Sequence, residues 1–246
     1  MNRLDDVLDK AVDKVKKRGE SGRNVPEKPH YLGHRQRLRQ RFLVNPTALP
    51  DYELLEMILY WAYPRVDTKA RAKAMMEQYG DLNTMITRAE KGEFTEALNT
   101  VFCVFKELMR RTLLADVHDR ELMNNAQAVI TYCHAEMAHL DIEQFRLFFL
   151  DKKYHLICDD IQQKGTVDQV SLYPREVMKR ALDVGASCLI MVHNHPTGDP
   201  SPSKADIELT HYLRDSLRPF RIQVLDHFIV GKKGYFSFRE QGILSA

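Results

Sequence analysis

The 246-residue sequence predicts a small all-helical module followed by an α/β domain. Three observations carry that expectation. From about residue 34 to residue 119 the apolar residues recur at helical spacing, punctuated by helix caps and stops. Beyond residue 119 short runs of strand composition alternate with helical ones. One of those runs, "CLIMV" at 188–192, is apolar throughout, as befits a strand buried on both faces.

The elements follow in order. Residues 1–27 alternate acidic and basic groups and then mix Gly, Ser and Pro with charge, the composition of an arm and linker. The helical module is read over 28–119. "HRQRLRQRFLVNP" sets Leu38, Phe42 and Leu43 at helical spacing among Arg35, Arg37, Arg39 and Arg41, a basic amphipathic helix ended by Pro46. A second helix starts at Asp51, read as its N-cap, and carries the apolar run from Leu54 to Tyr60. "DTKARAKAMMEQYG" is a third, capped by Asp67 and stopped by Gly80; "DLNTMITRA" and "EFTEALNTVFCVFKELMRRTLLAD" continue in the same mode. The second domain is read over 120–246. It opens with a helix in "ELMNNAQAVITYCHAEMAH" and a strand pair, "FRLFFL" and "YHLICDDI", about the polar turn Asp151 to Lys153. A helix from Pro174 to Gly185 leads into the buried strand. A helix in "SKADIELTHYLRDSLRP" and strands in "IQVLDHFIVG" and "GYFSF" complete it.

Composition narrows the classes. With 44% apolar and 28% charged residues the chain has the make-up of a soluble globular protein. No apolar run approaches the ~20 residues that span a bilayer, and the charged N-terminus lacks the apolar core of a secretory signal, so a cytoplasmic address is expected. Cys103, Cys133, Cys158 and Cys188 form no CxxC pair, which points away from a four-cysteine zinc site and from a disulfide framework. A formal net charge of +2 leaves any nucleic-acid affinity to local patches.

The chemistry concentrates in "VHNHPTGDPSPSKAD", residues 192–206. His193 and His195 fall at the end of the buried strand, where residues i and i+2 share a face and stand about 6.5 Å apart at Cα, close enough for both imidazoles to reach one ion. Strand ends in α/β sheets are also where such domains tend to bind ligands. Asp206, in the first turn of the next helix, is the obvious third ligand. Two histidines and one carboxylate leave the fourth tetrahedral position open, which is a catalytic arrangement. Plainer readings exist for each part. Ser203 and Asp206 fit a capping box, Asp199 in Gly-Asp-Pro fits turn chemistry, and His-Asn-His alone fits a polar turn. Their combination directly after a buried strand favours the metal site.

H-x-H-x7-S-x2-D is the JAMM signature of MPN-type (JAB) metalloproteases, and "YPREVMKRALDVGASCLIMVHNHPTGDPSPSKADIELT", with "LDHFIVG" and "YFSF" after it, closely resembles the RadC family. The resemblance extends to "GHRQRLRQRF", "LPDYELLEMILYWAYPR" and "DTKARAKAM" in the module. It implies a helix-hairpin-helix-like module followed by an MPN (JAB/JAMM) α/β domain resembling the cytidine-deaminase-like fold. It also implies one Zn2+ per chain, held by His193, His195 and Asp206, with Ser203 helping to hold the oxyanion of a tetrahedral intermediate. A glutamate upstream takes a proton from the attacking water, whose pKa zinc lowers towards about 7. Glu143, just before "FRLFFL", lies where the JAMM architecture places this base and is preferred. Glu176 is the alternative, in the first turn of its own helix, where the macrodipole favours a carboxylate without catalysis. Asp226 and His227 end a strand and either line the same cleft or support it structurally, and Asp199 is a further supporting candidate.

The leading expectation is therefore a zinc-dependent hydrolase of JAMM type acting on a peptide or isopeptide amide in a peptide or protein substrate, with the module recruiting substrate or partner. A deaminase is disfavoured because its H-x-E…PCxxC ligand pattern is lacking. The rival is a DNA repair or recombination accessory protein with a structural or vestigial zinc site, an association that comes with the RadC resemblance. A helix-hairpin-helix grips phosphates through a glycine-rich turn, yet no glycine occurs between Gly92 and Gly165. Arg35, Arg37, Arg39 and Arg41 offer phosphates a local positive patch, or else pair with acidic residues inside the module. A third reading, a scaffold in a larger assembly, has no use for the full ligand set. Oligomeric state stays open.

Overall fold

The computed structural model describes residues 31–119, 121–123, 125–164 and 172–244, so the arm read over 1–27 lies outside them. The chain divides into two compact units, one ending at Leu108 and the other beginning at Met109.

The first unit is helical: α1 (Tyr31–Val44), α2 (Asp51–Ala62), α3 (Lys69–Tyr79), α4 (Leu82–Glu90) and the first part of α5 (Glu96–His118). Its core gathers Leu55, Leu59, Met75, Met85 and Phe102, while Leu38 of α1 packs with Leu49 and Tyr60. Two caps differ from the sequence expectation by one residue. Pro50, not Asp51, caps α2, its carbonyl accepting the N–H groups of Glu53 and Leu54. Asp51 instead supplies first-turn negative charge, which the helix dipole favours. Thr68 caps α3, and the Asp67 carboxylate accepts from the Lys69 N–H at 3.0 Å. Gly80 ends α3 at φ 84°, a left-handed position that suits glycine. The stretch "EALNTVFCVFKELMRR" lies within α5, a single 23-residue helix, so no hairpin interrupts it.

The second unit contains α6 (Ala126–Met137), β1 (Gln144–Leu150), β2 (Leu156–Lys164), α7 (Pro174–Asp183), β3 (Cys188–Asn194), α8 (Lys204–Leu217), β4 (Gln223–Gly231) and β5 (Gly234–Ser237). The strands form one sheet in the order β2-β1-β3-β4-β5. Alternating helices and strands suggest parallel pairing, yet only β3 and β4 are parallel. The hairpins β1–β2 and β4–β5, and the pairing of β1 with β3, are antiparallel. Parallel neighbours require a crossover, and α8 supplies it here.

Two apolar layers sandwich the sheet. On one face Phe148, Ile190, Val192, Phe228 and Val230 pack under α6 residues Val129, Ile130, Cys133 and Met137. On the other, Phe145, Leu147, Phe149, Leu189, Met191 and Ile229 pack under Val177 and Ala181 of α7 and Leu213 and Leu217 of α8. All seven residues of β3 are buried, as the apolar run required. Period-2 alternation continues Leu189 and Met191 to His193, which therefore faces α8. Among the described residues no helix is long and apolar enough to cross a membrane.

Phe148 is fully buried and meets Tyr132 edge to face at 6.2 Å between centroids. Phe148→Ala is expected to destabilise the domain by about 3–5 kcal/mol, read from the denaturant midpoint at unchanged m-value.

Candidate metal centre

His193, at the end of β3, His195, just past it, and Asp206, in the first turn of α8, bring their ligating atoms within 4.8 Å of one another. The Nε2 atoms of the two histidines are 3.1 Å apart. Asp206 Oδ1 lies 3.3 Å from His193 Nε2, and Oδ2 lies 3.6 Å from His195 Nε2. A tetrahedral ion with ligands at about 2.0–2.1 Å holds its donors roughly 3.3 Å apart, so the spacing fits such an ion.

The loop from Pro196 to Pro202 folds α8 back over the strand end. The His195 N–H donates to the Val230 carbonyl (3.0 Å), and the Gly198 carbonyl accepts from the Lys233 N–H (3.2 Å). The approach is close at Gly231, where an added Cβ would lie 2.5 Å from the Gly198 oxygen. Helix α8 then starts with a complete capping box. The Asp206 N–H donates to Ser203 Oγ at 3.2 Å, and Asp206 Oδ2 accepts from both the N–H and the hydroxyl of Ser203 at 2.7 Å. The capping reading and the ligand reading of Asp206 are thus the same geometry. The Ser203 hydroxyl donates to one Asp206 atom and accepts from another, so an oxyanion role requires its proton to turn away from that carboxylate.

Hydrogen-bond inventory fixes where the imidazole protons sit. The Thr210 hydroxyl has one proton, and the Asp206 carbonyl at 2.5 Å can only accept it. His227 Nδ1, 2.6 Å from the same hydroxyl, must therefore donate. Burial, with the neighbouring His193, holds the His227 pKa well below the ordinary 6.5, so the ring is neutral and its Nε2 accepts. His193 Nδ1 then donates to His227 Nε2 across 2.8 Å. This leaves Nε2 as the His193 ring atom that faces Asp206 and is available to ligate an ion. His195 reaches the same state by a shorter route, its Nδ1–H donating to the Asp199 carbonyl at 2.9 Å. With a cation taking the place of the protons that these Nε2 atoms share with Asp206, two lone pairs and a carboxylate would converge on it. Phe145 stacks on His193 (5.4 Å, 9°) and Phe238 on His227 (4.6 Å, 24°), fixing both ring planes.

Charge follows the same geometry. Burial alone would raise the Asp206 carboxyl, but hydrogen bonds with His193, His195 and Ser203 hold it well below the usual carboxylate range. The hydrogen bond to Asp206 raises His195 above 6.5 against the opposing effect of burial.

The other sequence-predicted residues separate. Glu143 immediately precedes β1, where Phe145 pairs with His193; extending that antiparallel register sets Glu143 opposite His195. Its charge is among those that raise the His195 pKa, which places it beside the site. Glu176 sits exposed in the first turn of α7 and pairs with Arg175 at 3.2 Å. The Asp226 carboxylate accepts from the His227 and Arg239 N–H groups (2.7 and 3.0 Å) and from the Ser237 hydroxyl (2.6 Å), tying β4 to β5 and the turn beyond. Asp199 contributes its backbone carbonyl to His195, while its carboxylate accepts from Ser201. In the helical module, Arg35 donates to the carbonyls of Tyr63, Pro64 and Val66 and lies over the Tyr60 ring. Arg39 also faces Tyr60, Arg41 pairs with Glu53 at 2.9 Å, and Arg37 folds back over Gly33.

Sequence reasoning passed over two residues. Thr210 stands one helical turn after Asp206, a spacing that signals a shared face. Asn194, buried between the two histidines, donates to the Ile142 carbonyl (3.1 Å) and accepts from the Gln144 N–H (2.8 Å). It grips both peptide groups flanking Glu143. No pattern in the sequence announces that role.

A sheet with helices on both faces and a His-His-Asp cluster at the end of its central strand defines a JAB-type domain able to hold a metal ion. The RadC-like JAB domain matches residues 123–243, and UPF0758 protein SPO0054 of Ruegeria pomeroyi is 44% identical over 223 residues, covering 88% of this chain and 100% of that protein. The chain belongs to the RadC family.

Thr210→Val removes the acceptor that fixes the proton on His227 Nδ1. It should weaken metal binding by about 10–100-fold in chelator competition, whereas Thr210→Ser keeps wild-type affinity. Because the His195 pKa is raised, a cation competes there with a proton. Metal affinity should be full above that raised pKa and fall as pH drops through it, with proton release on binding measurable by calorimetry in two buffers.

Proposed function

We propose that this protein is a zinc-dependent hydrolase that cleaves a peptide or isopeptide amide. The observation that carries this reading is the convergence of His193 Nε2, His195 Nε2 and the Asp206 carboxylate, with each Nδ1 proton directed away from the meeting point. Two imidazoles and one carboxylate suit zinc and leave one tetrahedral position for water or substrate. A bound zinc ion would supply Lewis-acid polarisation and a lowered water pKa.

The chain's own residues supply the remainder. Glu143, held between the two peptide groups that Asn194 grips, takes the proton of the attacking water and passes it to the leaving amine. Ser203 orients Asp206 through the capping box and, with its hydroxyl turned, donates to the developing oxyanion. Glu176 is the weaker candidate base, since its carboxylate is engaged with Arg175. The helical module recruits the peptide or protein substrate. The rival reading, a DNA-associated accessory role through the basic helix, is less favoured because Arg35 and Arg41 already have partners within the module.

Elemental analysis of purified protein comes first. About one zinc per chain is expected in the wild type and none in His193→Ala or Asp206→Ala; a wild type that takes up no zinc sinks the hydrolase reading. Glu143→Gln should keep its zinc and lose about 10²–10⁴-fold in amide hydrolysis on a substrate found by peptide-library screening, while Glu176→Gln retains activity.

A further inference from the structure

At the C-terminal end of α8, where the chain turns into β4, a cavity of about 580 Å³ opens among Arg214, Asp215, Arg218 and Arg221, with Ile222 and Val224 also in its wall. Asp206 and Arg218 are twelve residues apart, one at each end of α8, which separates the cavity from the metal centre by about 18 Å of helix.

The charge there is only partly compensated, since Asp215 meets the charge of Arg218 as well as that of Arg214. Arg214 is paired with Asp215 at 2.9 Å, the one carboxylate lining the cavity. Among the described residues neither Arg218 nor Arg221 forms an ion pair with a carboxylate. The C-terminal carbonyls of α8 contribute about half a negative charge, which still leaves roughly one and a half positive charges around the opening. The short 3₁₀ turn Arg218–Phe220 brings the two arginines together, with the Arg221 N–H donating to the Arg218 carbonyl at 3.0 Å. Arg221 occupies the left-handed region at φ 57°. Glycine or asparagine serves such a position more easily, so a long cationic side chain there calls for a reason beyond the turn.

Guanidinium groups that lack carboxylate partners are suited to bidentate binding of phosphate. The cavity is larger than one phosphate needs and part of its wall is apolar, so the ligand carries an organic body. Phe220, 47% exposed, falls between the two arginines in sequence on the same 3₁₀ turn, outside the cavity wall, and offers a stacking face to a ligand that extends past the opening. Cations beside an exposed aromatic ring form the pairing that a phosphate with an attached base requires. We propose that this cavity binds a nucleotide unit, either free or within a single strand, through Arg218 and Arg221 with Phe220 stacking on the base.

The test uses the full-length protein, fluorescence polarisation with labelled dT12, and calorimetry with ADP. The expected result is binding of at least one probe, weakened tenfold or more in Arg218→Gln/Arg221→Gln and in Phe220→Ala, but unchanged in Arg175→Gln on α7. For dT12, two lost phosphate contacts also flatten the log–log salt slope by about 1.4. Binding of dT12 that ADP does not displace assigns the site to a strand; displacement by ADP assigns it to a free nucleotide. Failure of both probes to bind the wild type, or equal binding by the double variant, overturns the proposal. Zinc content is measured on the same samples and is expected to be unchanged, so this result and the hydrolase reading stand or fall separately.

Discussion

The hydrogen bonds between Ser203 and Asp206 join two requirements that usually belong to different parts of a protein. A helix starting over a strand end must satisfy its first N–H groups, and a metal site must hold a carboxylate at a fixed angle. Here one pair of residues does both. Asp206 Oδ2 accepts from the Ser203 backbone and hydroxyl, which starts α8 and turns the carboxylate towards His193 and His195. Neither function is separable from the other by mutation of Asp206. Replacing it removes the reciprocal half of the capping box and a ligand at the same time.

The same economy of position extends to the histidines. Each is held by its Nδ1, from behind, so that the ring keeps its orientation whether Nε2 meets Asp206 or an ion. For His195 the partner is a loop carbonyl, which any residue could supply, and the identity of Asp199 matters for the turn through Ser201. For His193 the partner is a second buried imidazole, whose own proton is assigned by Thr210 and the Asp206 backbone. A carbonyl can only accept. That single fact propagates through a hydroxyl and two rings to decide which nitrogen of His193 is available to an ion.

Much of this fold was legible because its periodicities are strong. The all-buried strand "CLIMV", the alternation that puts His193 beneath α8, and the turn at Asp151 to Lys153 all follow from residue spacing. The pairing pattern was not legible, since spacing along the chain does not say that β1 lies antiparallel between β2 and β3. Cap positions slipped by one at Asp51 and Asp67: Pro50 took the first cap and left Asp51 inside the first turn, while Thr68 took the second and left Asp67 just outside the helix. The residues that support the site were the hardest to see. Asn194 reads as an ordinary polar residue until β1 is placed beside it, and its amide then meets the peptides on either side of Glu143. Such contacts are long-range in sequence, and local propensity carries no information about them.

Asp226 and His227 show how finely the sheet divides its roles. They are adjacent, both buried, and both in the middle of β4 rather than at its end as the sequence suggested, because the apolar run to Val230 continues the pairing with β3. Successive side chains on a strand leave by opposite faces. His227 leaves towards α8 and joins Thr210 and His193. Asp226 leaves the other way and binds the Ser237 hydroxyl and the Arg239 N–H, with burial keeping its pKa above the ordinary value. A shift of β4 by one residue would turn both side chains to the opposite faces, and the shift that sets Asp226 against His193 would put Leu225 where Asp226 now bonds Ser237. The register of β4 is thus itself a determinant of the metal centre. It is fixed by the apolar residues Val224, Leu225, Phe228, Ile229 and Val230, which fill the two layers of the core. The chemistry of the site therefore depends on hydrophobic packing, including the layer whose Phe145 and Phe238 stack on its imidazoles.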